Sequence, residues 1–407
     1  VCSSDLGNSS ANAGVVLGSK PLTLSNASGN YSGVIGGTGT VTLSAGTQTL
    51  SGVNTYTGAT ILNGGTLALA GSGSIATSSG VSTANAAVLD ISATTSGASI
   101  VTLTGSSSAS TGVVLGAQTL TLSNASGNYS GVIGGTGGGL TLSAGEQILS
   151  GASSYTGVTT LNGGVLSVST LANGGVNSNI GASSNAASNL VLNGGTLRYT
   201  GAAQSLDRLF SVGVQGGSLD ASGTGALNFT NTGALVMVGT GARTLTLKGN
   251  NTGDNTLSAA LGDDVSVTPV NGTGLIKSGT GYWVLGGANS YTGGSTISAG
   301  VLKVAYATAL GASAGSVSVS AGAVLDLNGT TMTASNPLTL NGSGINAGGA
   351  LINASNTTAT YVGLITLGSD SSIVADNGAI VLSNTGTLTG AGKALSLGGR
   401  HLQNLQG

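Results

Sequence analysis

Charge is what this chain has least of: Asp, Glu, Lys and Arg make up only 5% of its 407 residues, where an ordinary soluble domain carries roughly 25%. The nine basic side chains are scattered singly and the formal net charge is −2. No field exists to draw in nucleic acid or an anionic membrane surface. The one histidine, His401, stands beside Arg400 near the last residue and is a poor candidate for an imidazole relay, which needs the ring fixed between a nucleophile and a carboxylate. Aromatic residues are 3%, with one tryptophan, Trp283, so leucine and β-branched side chains must fill the interior. No apolar run reaches the 18 residues that a membrane-spanning helix needs. Cys2 is the single cysteine and permits no intrachain disulfide.

The opening residues also lack a leader with a basic start and an apolar middle. Val1–Leu6 reads VCSSDL, the translation of a common short-read sequencing adapter, and we expect these six residues not to belong to the natural protein. Without them the chain is free of cysteine. That suits export, because an unfolded chain in an oxidising compartment then cannot cross-link.

Glycine is abundant, at 75 residues, and hydrophobic residues reach 39%, which is enough apolar surface to fold. One phrase is written three times: LSGVNTYTGATILNGGTLALA from Leu50, LSGASSYTGVTTLNGGVLSVS from Leu149 and LGGANSYTGGSTISAGVLKVA from Leu285. A longer segment, LTLSNASGNYSGVIGGTG, occurs unchanged at Leu22–Gly39 and Leu120–Gly137. Units this short cannot bury a core alone, so each must cover its neighbours.

The secondary-structure signal has period two. Leu67 and Leu69 alternate with Ala residues, Leu166 and Val168 with Ser, and the same pattern recurs at 88–91, 196–199, 245–248 and 324–327; charged residues in these runs are expected on the solvent face. Asn-Gly-Gly or a variant precedes many of these strands, at Asn63–Gly65, Asn162–Gly164, Asn193–Gly195 and Ser298–Gly300. Such residues tolerate positive φ and make corners. No helical stripe is sustained. Hairpins, a sandwich, a propeller or a parallel coil remain open; propeller repeats run at about 40 to 50 residues with signatures absent here. The best fit is an all-β fold, a right-handed single-stranded parallel β-helix (β-solenoid) forming an elongated rod. We expect one continuous coil over 7–407, with duplicated units at about 14–70 and 112–169 and a third related repeat at 272–305.

Chemistry is thinly supplied. Glu146 is the only glutamate, and the close acidic pairs are Asp263 with Asp264 and Asp370 with Asp376. Glycoside chemistry needs two carboxyls about 5 to 9.5 Å apart, whereas adjacent strand residues face opposite ways, so Asp263 and Asp264 are expected to cap a loop. Asp254, Asp263, Asp264 and Asp376 lack the Gly-rich repeat spacing of calcium-binding rolls. Glycine-rich runs lack the helix and lysine of a phosphate cradle. The reading assigns no catalytic residue, no metal ligand and no cofactor. Tyr56, Tyr155 and Tyr291 are expected at corners, the ring packed on the turn below and the hydroxyl in water, rather than as a sugar-stacking ladder.

The three phrases, the stretch Asn193–Asp220 (NGGTLRYTGAAQSLDRLFSVGVQGGSLD), the run ARTLTLKGNNTGDNTLSAALGD ending near Asp263, and Gly279–Leu285 (GTGYWVL) together resemble the passenger-associated repeats of bacterial autotransporters. The likeness covers most of 14–400. It implies an exported passenger at the bacterial cell surface or outside the cell, threaded through an outer-membrane β-barrel of the same full-length protein. Signal sequence and barrel strands are not in this sequence, so it is expected to be an internal fragment. The expected function is a non-enzymatic stalk and adhesin-like surface that aids its own secretion, with glycans, host surfaces or sister passengers as partners and no nucleic acid. The alternatives are a β-helix polysaccharide lyase or hydrolase, favoured if three or more of Asp90, Asp220, Asp326, Arg198 and Lys248 converge in one groove, and a large repeat adhesin secreted by another route.

Overall fold

The computed structural model describes residues 2–3, 6, 14–266 and 270–399; His401 and part of the opening six residues lie outside them. The chain divides into two compact units, Val1–Val191 with Gly195–Leu197, and Leu192–Gly194 with Arg198–Gly407.

Alternation decides the architecture of each. In Leu22–Leu24 and Val41–Leu43 the outer residues are buried and the central threonine is half-exposed, so each strand has one apolar face and must share it. Unit 1 does this by coiling. Leu22–Leu24, Val41–Leu43, Thr60–Leu62, Val81–Thr83 and Leu103–Gly105 pair in parallel, one above another. Asn30–Tyr31, Thr47–Leu50, Thr66–Gly71, Val88–Thr94, Val113–Val114 and Ile133–Gly134 make a second column. Ala98–Ile100, Thr119–Leu122, Gly139–Leu142 and Thr159–Leu161 make a third. The result is a β-solenoid. Bonds between neighbouring coils link residues 18 apart at the tightest, as from Leu22 to Thr40.

Unit 2 follows the same rule with coils of uneven length, from 19 residues between Tyr282 and Val301 upward. One column runs through Arg243–Lys248, Thr273–Lys277, Ser295–Ile297, Val317–Val319 and Leu338–Gly342. Another runs through Gln204–Leu206, Leu227–Phe229, Asn255–Leu257, Tyr282–Leu285, Gly300–Val304 and Ala323–Asp326. Here backbone bonds between coils span up to 32 residues, as from Gly281 to Gly249. Among the described residues the only helical segments are two 3-10 turns, Ala187–Asn189 and Ile345–Ala347.

Leucines, valines and isoleucines from successive coils stack inside, among them Leu22, Val41, Leu67, Leu89, Leu120 and Leu140, all at most 2% exposed. Each such side chain contributes about 1.5–3 kcal/mol by leaving water. The corners behave as their composition requires. Gly65 and Gly164 have φ of 73° and 68°, and a Cβ on either would stand 2.2 Å from the carbonyl oxygen of Gly46 or Gly145 below. Only glycine satisfies both the left-handed backbone and the close stacking.

The two copies of the long segment do not occupy the same face. Leu22–Leu24 belongs to the first column of unit 1, whereas its counterpart within Thr119–Leu122 belongs to the third. Asn30–Tyr31 stacks in the second column, but its twin Asn128–Tyr129 stacks on Leu103–Gly105 in the first. The duplicated length is therefore not a whole number of coils. The second copy is turned by one face.

Candidate functional site

The repeated phrase builds a structural module. Tyr56, Tyr155 and Tyr291 are wholly buried, which corrects the expectation that their hydroxyls meet water. Each hydroxyl shares a hydrogen bond with a hydroxyl four residues on: Tyr56 with Thr60 at 2.6 Å, Tyr155 with Thr159 at 2.7 Å, Tyr291 with Ser295 at 2.6 Å. The phrase thus needs Tyr-x-x-x-Thr/Ser, a spacing visible in all three copies. Burial pushes the Tyr56 phenol up to about 12, against the opposing pull of Thr60 and Ser78, and raises that of Tyr291 further still. These rings are core, and offer nothing for a sugar to stack on.

Two residues before the tyrosine sits a second device. Asn54 accepts the Ile35 N–H at 2.9 Å through Oδ1 and donates to the Ser74 carbonyl at 3.0 Å through Nδ2, so one side-chain amide joins the coil before to the coil after. Asn289 repeats this between Leu261 N–H and the Ala309 carbonyl, Asn255 between Leu227 and Tyr282, and Asn353 between Gly329 and Ala379. The second copy has Ser153 instead; its Oγ accepts the Ile133 N–H, and Asn179 supplies the donor to Gly151. Residue reading passed over these asparagines. The recurrence of Asn-x-Tyr in two of three copies was the available signal.

Charged residues are held, mostly singly, by the coil. Asp263 accepts the Thr273 and Thr292 N–H groups through Oδ1 and the Thr292 hydroxyl through Oδ2. Asp264 faces the buried Arg243 at 3.3 Å; bonds from Ser266, then the Arg243 charge, hold its carboxyl below the usual range. The pair caps a loop, as its spacing implied. Arg243 also donates to the carbonyls of Val212, Val238, Gly239 and Gly241. Lys277, wholly buried, donates to the carbonyls of Ser278, Gly279 and Ala299, and burial lowers its ammonium to about 8. Asp370 accepts the Ala394 N–H and lies exposed, as does Asp376.

Arg198, Asp220 and Lys248 do align. Arg198 Nε lies 3.3 Å from Asp220 Oδ2, and Asp220 is the register partner of Lys248 on the next coil. They form a column of alternating sign, and the Ser222 hydroxyl occupies the other Asp220 oxygen. Asp90 lies in unit 1. Asp326 departs from its expected solvent face: it is 1% exposed, Oδ1 accepts the Asn328 and Ala354 N–H groups, and Oδ2 has no partner. Burial raises its carboxyl. Lys303, its register partner, bonds instead to Asp254 at 2.7 Å. Among the described residues no three His, Cys, Asp or Glu side chains group as metal ligands do.

Uncharged hydroxyls recur along the outward strand faces. Thr23, Thr42, Thr104, Thr121, Thr141 and Thr160 stand half-exposed at strand centres in unit 1, and Thr296, Ser318, Thr339 and Thr366 form such a column in unit 2.

Comparison with known proteins fits this geometry. Residues 44–69, 137–168 and 275–304 match the passenger-associated-transport-repeat family, each match containing one copy of the Tyr-Thr-Gly phrase or its flanking strands. Over 142 residues, 34% of the chain, the sequence is 49% identical to the adhesin BmaC autotransporter of Brucella suis biovar 1 (strain 1330). The chain spans 4% of that relative's length. No solved structure matches. Three stretches of the chain thus match passenger-associated transport repeats, and about a third of it is similar to an autotransporter adhesin.

Proposed function

We propose that this chain is a stalk and adhesive surface within the passenger of a larger autotransporter, displayed on the bacterial cell surface and without enzymatic activity of its own. The carrying observation is the conjunction of three passenger repeats with a parallel coil whose charged side chains are mostly engaged within the protein. A solenoid of this kind separates its ends at little sequence expense, and its hydroxyl-bearing outward faces suit weak, repeated contacts. The partner in export is an outer-membrane barrel of the same full-length protein. Stacking of coil upon coil outside the membrane helps to draw the chain outward. The test is an in-frame deletion of this segment from the full-length protein. We expect the remaining passenger still to reach the surface but adhesion to fall; adhesion unchanged, with the segment shown to be protected from protease on intact cells, would sink the reading.

The column Arg198–Asp220–Lys248 is the one observation that favours a polysaccharide lyase. It brings one carboxylate, already bonded twice, to two cations. Release of unsaturated uronates from acidic polysaccharides by the purified chain, lost in Asp220→Asn, would establish that reading instead.

A further inference from the structure

The outward face of one column in unit 2 carries a cation with a choice of two carboxylates. Asn255, Trp283, Leu302 and Leu325 stand in register and fill the core, so their neighbours Asp254, Tyr282, Lys303 and Asp326 point the other way. Lys303 and Asp326 are register partners on adjacent coils, with side chains on one face. Yet the Lys303 ammonium turns away from Asp326. It passes over the Tyr282 ring, 5.6 Å from its centroid, and bonds to Asp254 Oδ1 at 2.7 Å, two coils off. Asp326 is left buried, with Oδ2 unpartnered.

A proton decides between the two carboxylates. The Asp254 side chain is 59% exposed, and a pair with so exposed a group is screened by water and weak. An ionised Asp326 is instead a buried charge, costly unless it is paired. Lys303 is the cation whose field acts on it, and Asp254 is the anion that opposes its ionisation. The strands Ser295–Ile297, Val317–Val319 and Leu351–Ile352, packed against Ala323–Asp326, carry no titratable side chain. While Asp326 holds its proton, Lys303 has no better partner than Asp254. Once that proton leaves, Lys303 loses little at Asp254 and gains a buried, charge-assisted bond.

We infer that Lys303 is a proton-linked latch: it lies across Tyr282 on Asp254 while Asp326 is protonated, and turns to Asp326 when that carboxyl ionises. Below the transition the Asp254 charge is neutralised and the Tyr282 ring covered. Above it both open to solvent, so this outward face of unit 2 changes character with pH.

Carbon-13 reductive methylation of the purified chain gives each lysine an NMR signal, and the one missing from Lys303→Arg belongs to Lys303. Its shift should change with pH about a midpoint above the ordinary carboxylate value of about 4. In Asp326→Asn that change should vanish. In Asp254→Asn the midpoint should fall, because the competing partner and its opposing charge are both gone. A Lys303 signal that stays fixed from about pH 5 to 8 in the wild type overturns the inference, as does one that moves alike in Asp326→Asn. Should Asp326→Asn not keep the Trp283 emission of the folded chain, Asp254→Asn decides alone: a midpoint that stays or rises there overturns it.

Discussion

At the scale of single residues, the coil is held by polar groups placed where apolar ones would be expected. Tyr291→Phe keeps the ring but leaves the Ser295 hydroxyl buried alone, and should lower stability by about 1–3 kcal/mol. Asn289→Ala removes partners from both the Leu261 N–H and the Ala309 carbonyl, and should lose more, roughly 2–5 kcal/mol. Both are read by urea unfolding followed through Trp283, which is buried and donates to the Lys248 carbonyl at 2.9 Å. An Asn289→Ala loss smaller than that of Tyr291→Phe would contradict the bridging role. Asp326 gives a prediction in pH. Its carboxyl is raised by burial, so the folded state binds the proton more tightly than the unfolded one; the contribution is full below the ordinary carboxylate pKa and is lost as pH rises through the folded value. The unfolding midpoint of the wild type, relative to Asp326→Asn, should therefore climb as pH is lowered from 7 towards 4. A difference that is flat across that range would show that the Asp326 carboxyl titrates alike in the folded and unfolded states, so that burial does not raise it.

At the scale of strands and corners, most of the fold was legible because each coil repeats one local rule. Leu67 with Leu69 and Leu166 with Val168 are buried as their alternation required, and the Asn-Gly-Gly corners carry positive φ at Gly65, Gly164 and Gly194. What alternation does not report is depth. It put the Asp326 side chain outward, but the surrounding coils cover it, and it put Tyr56 at a corner without revealing that the next coil roofs the ring. Gly181 and Gly311 lie against the rings of Tyr155 and Tyr291, where a Cβ would come within 2.8 and 3.0 Å of ring carbons. Such contacts join residues a full coil apart and leave no local pattern. The same logic separates two glycine substitutions. Gly322→Ala meets positive φ in open space and should cost about 1 kcal/mol. Gly164→Ala adds a clash with the Gly145 backbone to the same strain and should cost at least twice as much. Equal midpoints for the two variants in urea would mean that corner stacking is not tight in solution.

At the scale of the whole chain, the two units differ in what they bury. Among the described residues, the six charged side chains in the cores, Arg208, Asp220, Arg243, Asp264, Lys277 and Asp326, belong to unit 2, and so do Trp283, Phe210 and Phe229. Unit 1 fills its interior with aliphatic side chains and tyrosines, and its buried polar groups are uncharged. Large rings bring more area and an edge-to-face contact between Phe210 and Phe229, and the bonded cations tie loops to the coil; a cation held by three carbonyls, such as Lys277, is lost only when the loops open together. In a stacked array each coil depends on its neighbours, so stability need not be uniform along the chain. Unit 2 should resist denaturant longest. Hydrogen exchange read by mass spectrometry should show amides of 245–247 and 302–304 protected beyond those of 41–43 and 60–62, and Trp283 emission should change at higher urea than the circular dichroism midpoint. A coil that forms first and firmly is a template on which later coils stack, the asymmetry that the proposed role in export requires. Coincident transitions and even protection would remove the folding argument for secretion and leave the stalk without it.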